Sequence, residues 1–237
     1  MAIENSFQKL FPDARSAITD IHDGARVMCC GFGLSGNPEN LIRALADSKK
    51  AALTMISNNC GAMGKGLAVL LQQRQVSEVI CSFIGGNKDL EEQYMSGAVK
   101  VELNPQGTLA ERICAGGAGI GAFFTPTGVG TVVAQGKEER LFDGRRMILE
   151  TAIKADFALI RAKVADPFGN LRFYRTSQNF APGMAMAARV TVVEAERIVP
   201  LGELGPDDIH LPGIFVQRVV LGESYENPIE FRTTRPG

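Results

Sequence analysis

Val27-Met-Cys-Cys-Gly-Phe-Gly-Leu-Ser-Gly-Asn-Pro-Glu-Asn40 is the stretch that decides the fold. It opens with an apolar run, continues through three glycines, and is followed by leucine and isoleucine at helical spacing. This order predicts a strand, a tight loop and a helix, with Asn37 as the helix N-cap and Pro38 in the first turn. Such a loop gathers free backbone N–H groups at the positive end of a helix dipole. We therefore expect it to hold an anion or a developing oxyanion.

The same loop also matches a dinucleotide-binding fingerprint, Gly31-x-Gly33-x-x-Gly36. A nicotinamide-binding fold needs an Asp or Glu about 20 residues later, at the end of the next strand, to hold the ribose hydroxyls. The next apolar run, Leu53–Ile56, ends instead in Ser57-Asn-Asn59. Because no acid stands there, we favour the anion-holding interpretation over nicotinamide binding.

Length and charge limit the classes of function. The chain has 237 residues, enough for one large domain with a substantial core, and we treat residues 1–237 as a single domain. Its 25 basic and 26 acidic residues are interspersed, which argues against a nucleic-acid surface and against an acidic-membrane patch. The first ten residues hold no apolar run after a basic start, and no later run is long enough to span a bilayer. We expect a cytoplasmic protein with neither nucleic acid nor membrane as a partner.

The five cysteines are an odd number and form no C-x-x-C pair. This usage is typical of a reducing compartment, and we expect each thiol to be buried rather than paired or reactive. With only two histidines in the chain, a histidine-based triad or a zinc site has little support. We predict no metal site.

The first half of the chain alternates predicted strands and helices. Apolar runs predict strands at Val27–Cys30, Leu53–Ile56, Val79–Phe83 and Val99–Leu103. Helical patterns fall between them at Pro38–Ser48, Gly66–Gln73 and Lys88–Met95. This alternation is typical of an open, mostly parallel sheet with helices on both faces, so we predict a three-layer α/β fold. Further strands are predicted at Phe157–Ile160, Asn170–Tyr174 and Val190–Glu194.

Three segments depart from this alternation. Thr108-Leu-Ala-Glu111 has the spacing of a capping box, so a helix is predicted after Gly107, with Glu111 as a cap rather than a catalytic acid. Residues 116–150 are glycine-rich and then β-like, with Asp143-Gly144 as a hairpin turn, and predict a small β-rich excursion. The tail from Asn227 to Gly237 is expected to be weakly ordered or to hold a partner.

Three polar loops should become neighbours although they are distant in the chain. Gly31–Asn37, Ser57–Gly61 and Asn104–Gly107 each follow a predicted strand, and ligands of open α/β sheets bind along the edge where parallel strands end. Neutral amides suit hydrogen bonding to a carbonyl, a carboxylate or an oxyanion, but the loops offer no evident nucleophile or general base. The carboxamides they offer are those of Asn37, Asn58, Asn59, Asn104 and Gln106.

Longer motifs carry a family resemblance across the chain. They are Gly31-Phe-Gly-Leu-Ser-Gly-Asn-Pro-Glu-Asn40, Ser57-Asn-Asn59, Glu102-Leu-Asn-Pro-Gln-Gly-Thr-Leu-Ala-Glu-Arg112, Ala115-Gly-Gly-Ala-Gly119, Phe124-Thr-Pro-Thr-Gly-Val-Gly130 and Gln178-Asn-Phe180. In this order, they resemble the A (alpha) subunit of family I coenzyme A transferases. Within that family the ending Ile229-Glu-Phe-Arg-Thr-Thr-Arg-Pro236 is most similar to succinyl-CoA:3-ketoacid transferases.

The resemblance implies half of an active site. Family members use a ping-pong reaction in which a B-subunit glutamate attacks the acyl-CoA, becomes a glutamyl-CoA thioester, and passes CoA to a second carboxylate. This chain contains no Glu-Asn-Gly, the motif that carries that glutamate. It is therefore expected to be the A subunit, paired with a B chain in an A2B2 complex. Its expected ligands are acyl-CoA and small carboxylic acids, with no permanently bound cofactor.

The resemblance also implies roles for individual residues. Asn58, Asn59 and Gln106 match positions near the reacting carbonyl, and Gln106 is the expected side-chain donor. Two positions depart from the family pattern: Cys30 stands where glycine is usual, and Gly86 stands where many relatives have Glu. The glycine-rich loop matches a segment that contacts CoA or substrate, and its residues are Gly31, Phe32, Gly33, Leu34, Ser35, Gly36 and Asn37.

Several functions stay open at this point. The expected acceptor is a 3-oxo acid such as acetoacetate, with a 3-oxoadipate or an acetate/acetoacetate transferase as alternatives. A protein that keeps the transferase fold as an acyl or CoA sensor, without chemistry, belongs to a different class. A sugar-phosphate isomerase is a third possibility from fold analogy. A stoichiometric partner chain of similar size would favour the transferase.

Overall fold

The fold is organised around a seven-stranded parallel sheet. The computed structural model describes residues 9–62, 64–229 and 232–233. In chain order its strands are β1 (Arg26–Cys29), β2 (Leu53–Ile56), β3 (Val76–Cys81), β4 (Lys100–Leu103), β5 (Ala122–Thr125), β6 (Glu139–Phe142), β7 (Arg145–Thr151), β8 (Ala155–Ala162), β9 (Val164–Ala165), β10 (Leu171–Arg172), β11 (Ala188–Ala195), β12 (Arg218–Leu221), β13 (Pro228–Ile229) and β14 (Arg232–Thr233). The α-helices are α1 (Ala14–Ala17), α2 (Glu39–Asp47), α3 (Ala68–Gln72), α4 (Lys88–Met95), α5 (Gln106–Ala118) and α6 (Ala181–Ala187).

The large sheet has the strand order β12-β11-β8-β1-β2-β3-β4, and every neighbouring pair is parallel. The strand β1 lies in the middle, with Val27 opposite Met55 of β2 and Phe157 of β8. All seven carboxyl ends therefore point to one edge, which we call the carboxyl edge. The predicted parallel α/β sheet is confirmed.

Both faces of the sheet are covered. Alternate residues of β1 enter two separate cores, since Val27 and Cys29 pack with α1–α4 while Met28 packs with α5 and α6. Strands buried on both faces are apolar throughout, which explains why the sequence shows runs rather than polar alternation there. The three-layer arrangement of helices, sheet and helices is confirmed.

The β-rich excursion is also confirmed, but it begins later than predicted. Strands β5, β7 and β6 form an antiparallel sheet, and Asp143 and Gly144 both have positive φ in the turn between β6 and β7. The first glycines of the segment instead belong to α5, where a Cβ on Gly116 would lie 2.0 Å from the Ile153 carbonyl oxygen. These glycines therefore let α5 pack closely against its neighbours.

Other local predictions are wrong. Helix α5 starts at Gln106 behind Pro105, without a side-chain cap, so Thr108-Leu-Ala-Glu111 is helix interior and not a capping box. The predicted strand Asn170–Tyr174 shrinks to β10, which pairs with β9. The patterns missed α1, α6 and β12, because each is too short for a clear periodic signal.

The end of the chain is only partly described. Strands β13 and β14 form a two-residue antiparallel pair. Residues 230–231 and 234–237, which hold most of the predicted weakly ordered tail, lie outside the described residues.

The thiols and a search for special elements complete the fold. Four cysteines are buried, whereas Cys114 on α5 is exposed, so the prediction of buried thiols is wrong at that position. Across 9–62, 64–229 and 232–233, no helix combines the length and apolarity that a bilayer crossing needs. The same residues contain no cluster of three or more potential metal ligands.

Candidate active site

Three distant loops meet at the carboxyl edge, as predicted. The Gly33 N–H from the first loop donates to Asn58 Oδ1 of the second at 3.0 Å. Asn58 Nδ2 then donates to Gln106 Oε1, at the start of α5, at 2.5 Å. This chain of bonds joins positions 33, 58 and 106, so the predicted juxtaposition is confirmed.

The hydrogen bonds fix the orientation of each carboxamide. A backbone N–H only donates, so Asn58 must turn Oδ1 to Gly33 and Nδ2 to Gln106. Gln106 accepts through Oε1, from Asn58 and from the Ser82 hydroxyl at 2.5 Å. Gln106 Nε2 is then left buried, with no hydrogen-bond partner in the described part of the chain. An unpaired buried donor costs about 1–3 kcal/mol, which an acceptor brought to it would relieve.

Ser82 is a member of this network that the sequence analysis missed. It follows β3 directly, and its hydroxyl also accepts from Asn58 Nδ2 at 3.0 Å. The signal was available, because every strand of a parallel sheet delivers a polar residue to the same edge. The predicted strand ran through Ser82 to Phe83, which hid it.

The glycine-rich loop is held by its own packing. Gly31 has φ +136, and a Cβ there would lie 1.7 Å from Asn37 Oδ1, so only glycine fits. The backbones of Phe32 and Ser35 exchange hydrogen bonds of 3.0 and 3.1 Å. Asn37 is 5% exposed, and its side chain fills the space beside Gly31.

The first helix of the site is capped by an unexpected group. Asn37 is not the N-cap of α2, because Pro38 takes that position without a side-chain bond. The Glu194 carboxylate, from the end of β11, accepts from the Leu41 N–H at 2.8 Å and from Asn40 Nδ2 at 3.0 Å. Burial raises the pKa of Glu194 to about 7, although these two bonds lower it.

The prediction that this helix end is free for a ligand anion is therefore wrong. The positive end of the α2 dipole already faces a carboxylate of the same chain. The Gly31 N–H donates to Asn179 Oδ1 at 3.1 Å and the Gly33 N–H to Asn58, so these loop donors are also in use. The unpaired donor of the site is a side chain, Gln106 Nε2.

Two other predicted carboxamides are engaged locally. Asn59 Oδ1 accepts from the Gly61 N–H at 3.1 Å, which shapes its own turn. Asn104 is buried and accepts from Arg112, whose guanidinium also donates to Glu102. Neither bond joins these side chains to the Gly33–Asn58–Gln106 chain, so their direct roles in chemistry remain predictions.

A pocket of about 490 Å³ opens beside these loops. The Phe32 and Phe180 rings stack with centroids 6.2 Å apart, and Phe32 is 55% exposed. Asn179 holds the loop through Gly31 and has φ +35 and ψ −116, a conformation rare for a non-glycine residue. The pocket is lined by Phe32, Ser35, Gln106, Gly107, Ala110, Thr176, Asn179 and Phe180. We call it the amide pocket.

The site residue Asn179 carried a signal that was not used. Gln178-Asn-Phe180 stood among the family motifs, but no role was assigned to it. A Cβ on Gly36 would lie 2.8 Å from Asn179 Nδ2. The segment around Asn179 thus forms the second wall of the glycine-rich loop.

The two departures from the family pattern have different structural consequences. Cys30 Sγ donates to the Gly36 carbonyl oxygen at 3.1 Å and accepts from the Arg161 N–H at 3.3 Å, so it fastens the loop to β8. Burial raises the pKa of the Cys30 thiol to about 12, which keeps it protonated. Gly86 has φ +76, and a Cβ there would meet nothing within 4 Å.

The amide pocket has limited chemistry of its own. Its described lining offers hydroxyls, amides and aromatic rings, but no carboxylate, imidazole or thiol. Amide donors in a dry cleft stabilise a developing oxyanion without taking up a proton. The pocket can therefore orient and polarise a carbonyl group, and the attacking group must come from elsewhere.

Comparison with known proteins agrees with this geometry. The model of the coenzyme A transferase family matches residues 11–222. The A subunit of succinyl-CoA:3-ketoacid coenzyme A transferase from Xanthomonas campestris pv. campestris (strain B100) is 53% identical over 97% of this chain and 95% of its own length. The human mitochondrial succinyl-CoA:3-ketoacid coenzyme A transferase 2 is 47% identical over 94% of this chain, which spans 46% of the human protein.

A solved structure supports the fold. The apoenzyme of the acyl-CoA transferase YdiF from Escherichia coli O157:H7 has a TM-score of 0.83 over 92% of this chain and 47% of its own, at 23% identity. The family model covers most of the chain, and the Xanthomonas protein matches it nearly end to end. The chain therefore belongs to the coenzyme A transferase family.

Proposed function

We propose that this chain is the A (alpha) subunit of a 3-oxoacid CoA-transferase that moves CoA from succinyl-CoA to a 3-oxo acid such as acetoacetate. The unpaired Gln106 Nε2 in a pocket without a nucleophile carries this proposal. The printed names of the Xanthomonas and human relatives support the substrate class.

The chemistry requires a carboxylate from outside the chain. A glutamate of the B chain attacks the thioester carbonyl, and the displaced CoA thiolate then attacks the activated glutamyl carbonyl to give a glutamyl-CoA thioester. The free carboxylate of the donor leaves, and the steps run in reverse with the acceptor. Each attack places negative charge on a carbonyl oxygen, where Gln106 Nε2 donates a hydrogen bond.

The remaining loop residues position the ligands in this proposal. Asn58 holds Gln106 in orientation, and Asn59 shapes the second loop. The exposed ring of Phe32 and the hydroxyl of Ser35 offer packing and hydrogen bonding to CoA or substrate from the glycine-rich loop. Gly31, Gly33, Leu34, Gly36 and Asn37 give that loop its shape.

The partner follows from the missing carboxylate. We propose a B chain that closes the amide pocket in an A2B2 complex. The human relative, of which this chain spans less than half, is consistent with a second half carried by a separate chain here.

The test compares the purified chain with the complex. The complex should form acetoacetyl-CoA from succinyl-CoA and acetoacetate, and the chain alone should form none. A panel with 3-oxoadipate and with acetyl-CoA as donor separates the alternative transferases. Measurable transfer by the chain alone contradicts the split site. A stable oligomer of this chain that binds acyl-CoA without transfer, with or without the B chain, would instead indicate a sensor.

A further inference from the structure

A second and larger cavity lies at the same carboxyl edge, beyond the ends of β8 and β11. It has a volume of about 900 Å³ and is walled by β9, β10 and the residues that follow β11. Its charged lining comprises Lys163, Arg172, Arg175, Arg197, Glu196 and Asp208. We call it the basic cavity, since four cations face two acids there while the whole chain has a net charge of −1.

Two of these cations are available to a ligand. Lys163 Nζ is paired with Glu196 at 2.6 Å, and Arg197 lies 3.9 Å from Glu203. Arg172 and Arg175 are exposed and make no ion pair within residues 9–62, 64–229 and 232–233. Guanidinium groups bind phosphate through two parallel hydrogen bonds, so this pair suits a phosphorylated ligand.

The basic cavity also offers a flat aromatic surface. The Tyr174 ring is 55% exposed, with Arg175 Cζ 5.3 Å and Lys163 Nζ 5.7 Å from its centroid. His210 Nδ1 accepts from the Phe173 N–H at 3.1 Å, so in the neutral ring Nε2 carries the hydrogen and can donate. A heteroaromatic base can stack on the tyrosine while its phosphates meet the arginines.

The basic cavity and the amide pocket share one segment. Arg175 lines the basic cavity, and the next residue, Thr176, lines the amide pocket. Arg175 has a positive φ of 50, an uncommon backbone state that lies at the junction of the two cavities. A ligand with an anionic nucleotide at one end and a thioester at the other could occupy both.

We infer that the basic cavity binds the phosphorylated adenosine end of the CoA thioester, through Arg172, Arg175 and Tyr174. This inference rests on the proposed function, since it names where the far end of that substrate lies. It assigns the affinity for CoA partly to a region about which the sequence motifs say nothing.

Steady-state kinetics of the complete complex test the inference. Changing both Arg172→Gln and Arg175→Gln should raise the KM for succinyl-CoA about 10–100-fold, the loss expected for charge-assisted bonds. The kcat and the KM for acetoacetate should stay unchanged. The matched control is Arg189→Gln, an exposed arginine at the start of β11 and therefore at the opposite edge of the sheet.

A direct binding measurement separates this inference from the proposed function. Adenosine 3′,5′-bisphosphate is the probe, and its binding to the complex by equilibrium dialysis should weaken about 10–100-fold in the double variant but not in the control. This result stands even if no transferase activity is found. Unchanged probe binding and unchanged KM overturn the inference. So does loss of assembly with the B chain without loss of probe binding, which would make the cavity a partner contact.

Discussion

The two ends of the carboxyl edge present different chemistry. Behind β1–β4 the loops offer amides, glycines and aromatic rings, and the chain of bonds from Gly33 to Gln106 is neutral. Beyond β8 and β11 the edge is crowded with charge, from Arg161 and Glu194 to the cations of the basic cavity. The same parallel sheet therefore serves two kinds of contact.

The difference follows from what each end has to hold. A reacting carbonyl needs a donor that stabilises charge only as it develops, and a permanent cation there would also bind the ground state. A phosphate carries its charge throughout and is held well by guanidinium groups. The comparison predicts that changes at the neutral end act on turnover and that changes at the charged end act on binding or on pH dependence.

The largest effect is expected at Gln106. Replacing it in Gln106→Ala removes the one unpaired donor found in the amide pocket, and kcat should fall by about 10²–10³. The measurement is turnover of the reconstituted complex with saturating substrates. Glu111→Gln, an exposed change farther along the same helix, is the control and should leave kcat intact. An undiminished kcat in Gln106→Ala removes this residue from the mechanism.

A somewhat smaller effect is expected at the charged end, for Glu194. Its pKa of about 7 in the folded state lies above its ordinary value of 4.5. The folded protein therefore holds this proton more tightly than the unfolded chain, and stability should fall as the pH rises from about 4.5 to 7, by about 3 kcal/mol at most. Urea unfolding at pH 5 and pH 8 should show this fall in the unmodified protein and not in Glu194→Gln.

The control for that experiment is Glu92→Gln, an exposed change on α4. It should keep the full decrease in stability between the two pH values. If Glu194→Gln also keeps it, the carboxylate at the α2 N-terminus is ionised in the folded protein across the whole range, and the charged end does not extend to that helix.

The smallest effect is expected at Phe32. Phe32→Leu removes the stacked pair with Phe180, a contribution of about 0.5–1.5 kcal/mol. The KM for the substrate should rise about 2–10-fold, with kcat nearly unchanged. Phe142→Leu breaks a comparable pair with Phe124 in the excursion and should change neither constant. A fall in kcat alone for Phe32→Leu would place the ring among the groups that act in turnover.

Much of the fold was predictable because its strands report their own burial. Runs such as Leu53–Ile56 are buried on both faces, and glycine loops follow them, so the parallel sheet and its carboxyl edge could be read from the sequence. The meeting of Gly33, Asn58 and Gln106 followed from that topology alone.

The rest depended on contacts between distant parts of the chain. Asn37 looked like a helix cap because the capping rules are local, but the acceptor came from Glu194, 153 residues after Leu41. The same is true of Asn179, which reaches Gly31 from 148 positions away. The basic cavity escaped notice because its arginines belong to short elements with no periodic pattern.

The central place of β1 has a consequence for how the protein is made. One neighbour, β2, follows soon after it in the chain, but the other, β8, is completed only at Ala162, and Asn179 comes later still. A nascent chain that has emerged as far as β4 leaves one side of β1 unpaired, which exposes an aggregation-prone edge. Folding must therefore wait for long-range pairing, which is slow. The ligand site then forms in one late step, when little of the polypeptide remains on the ribosome.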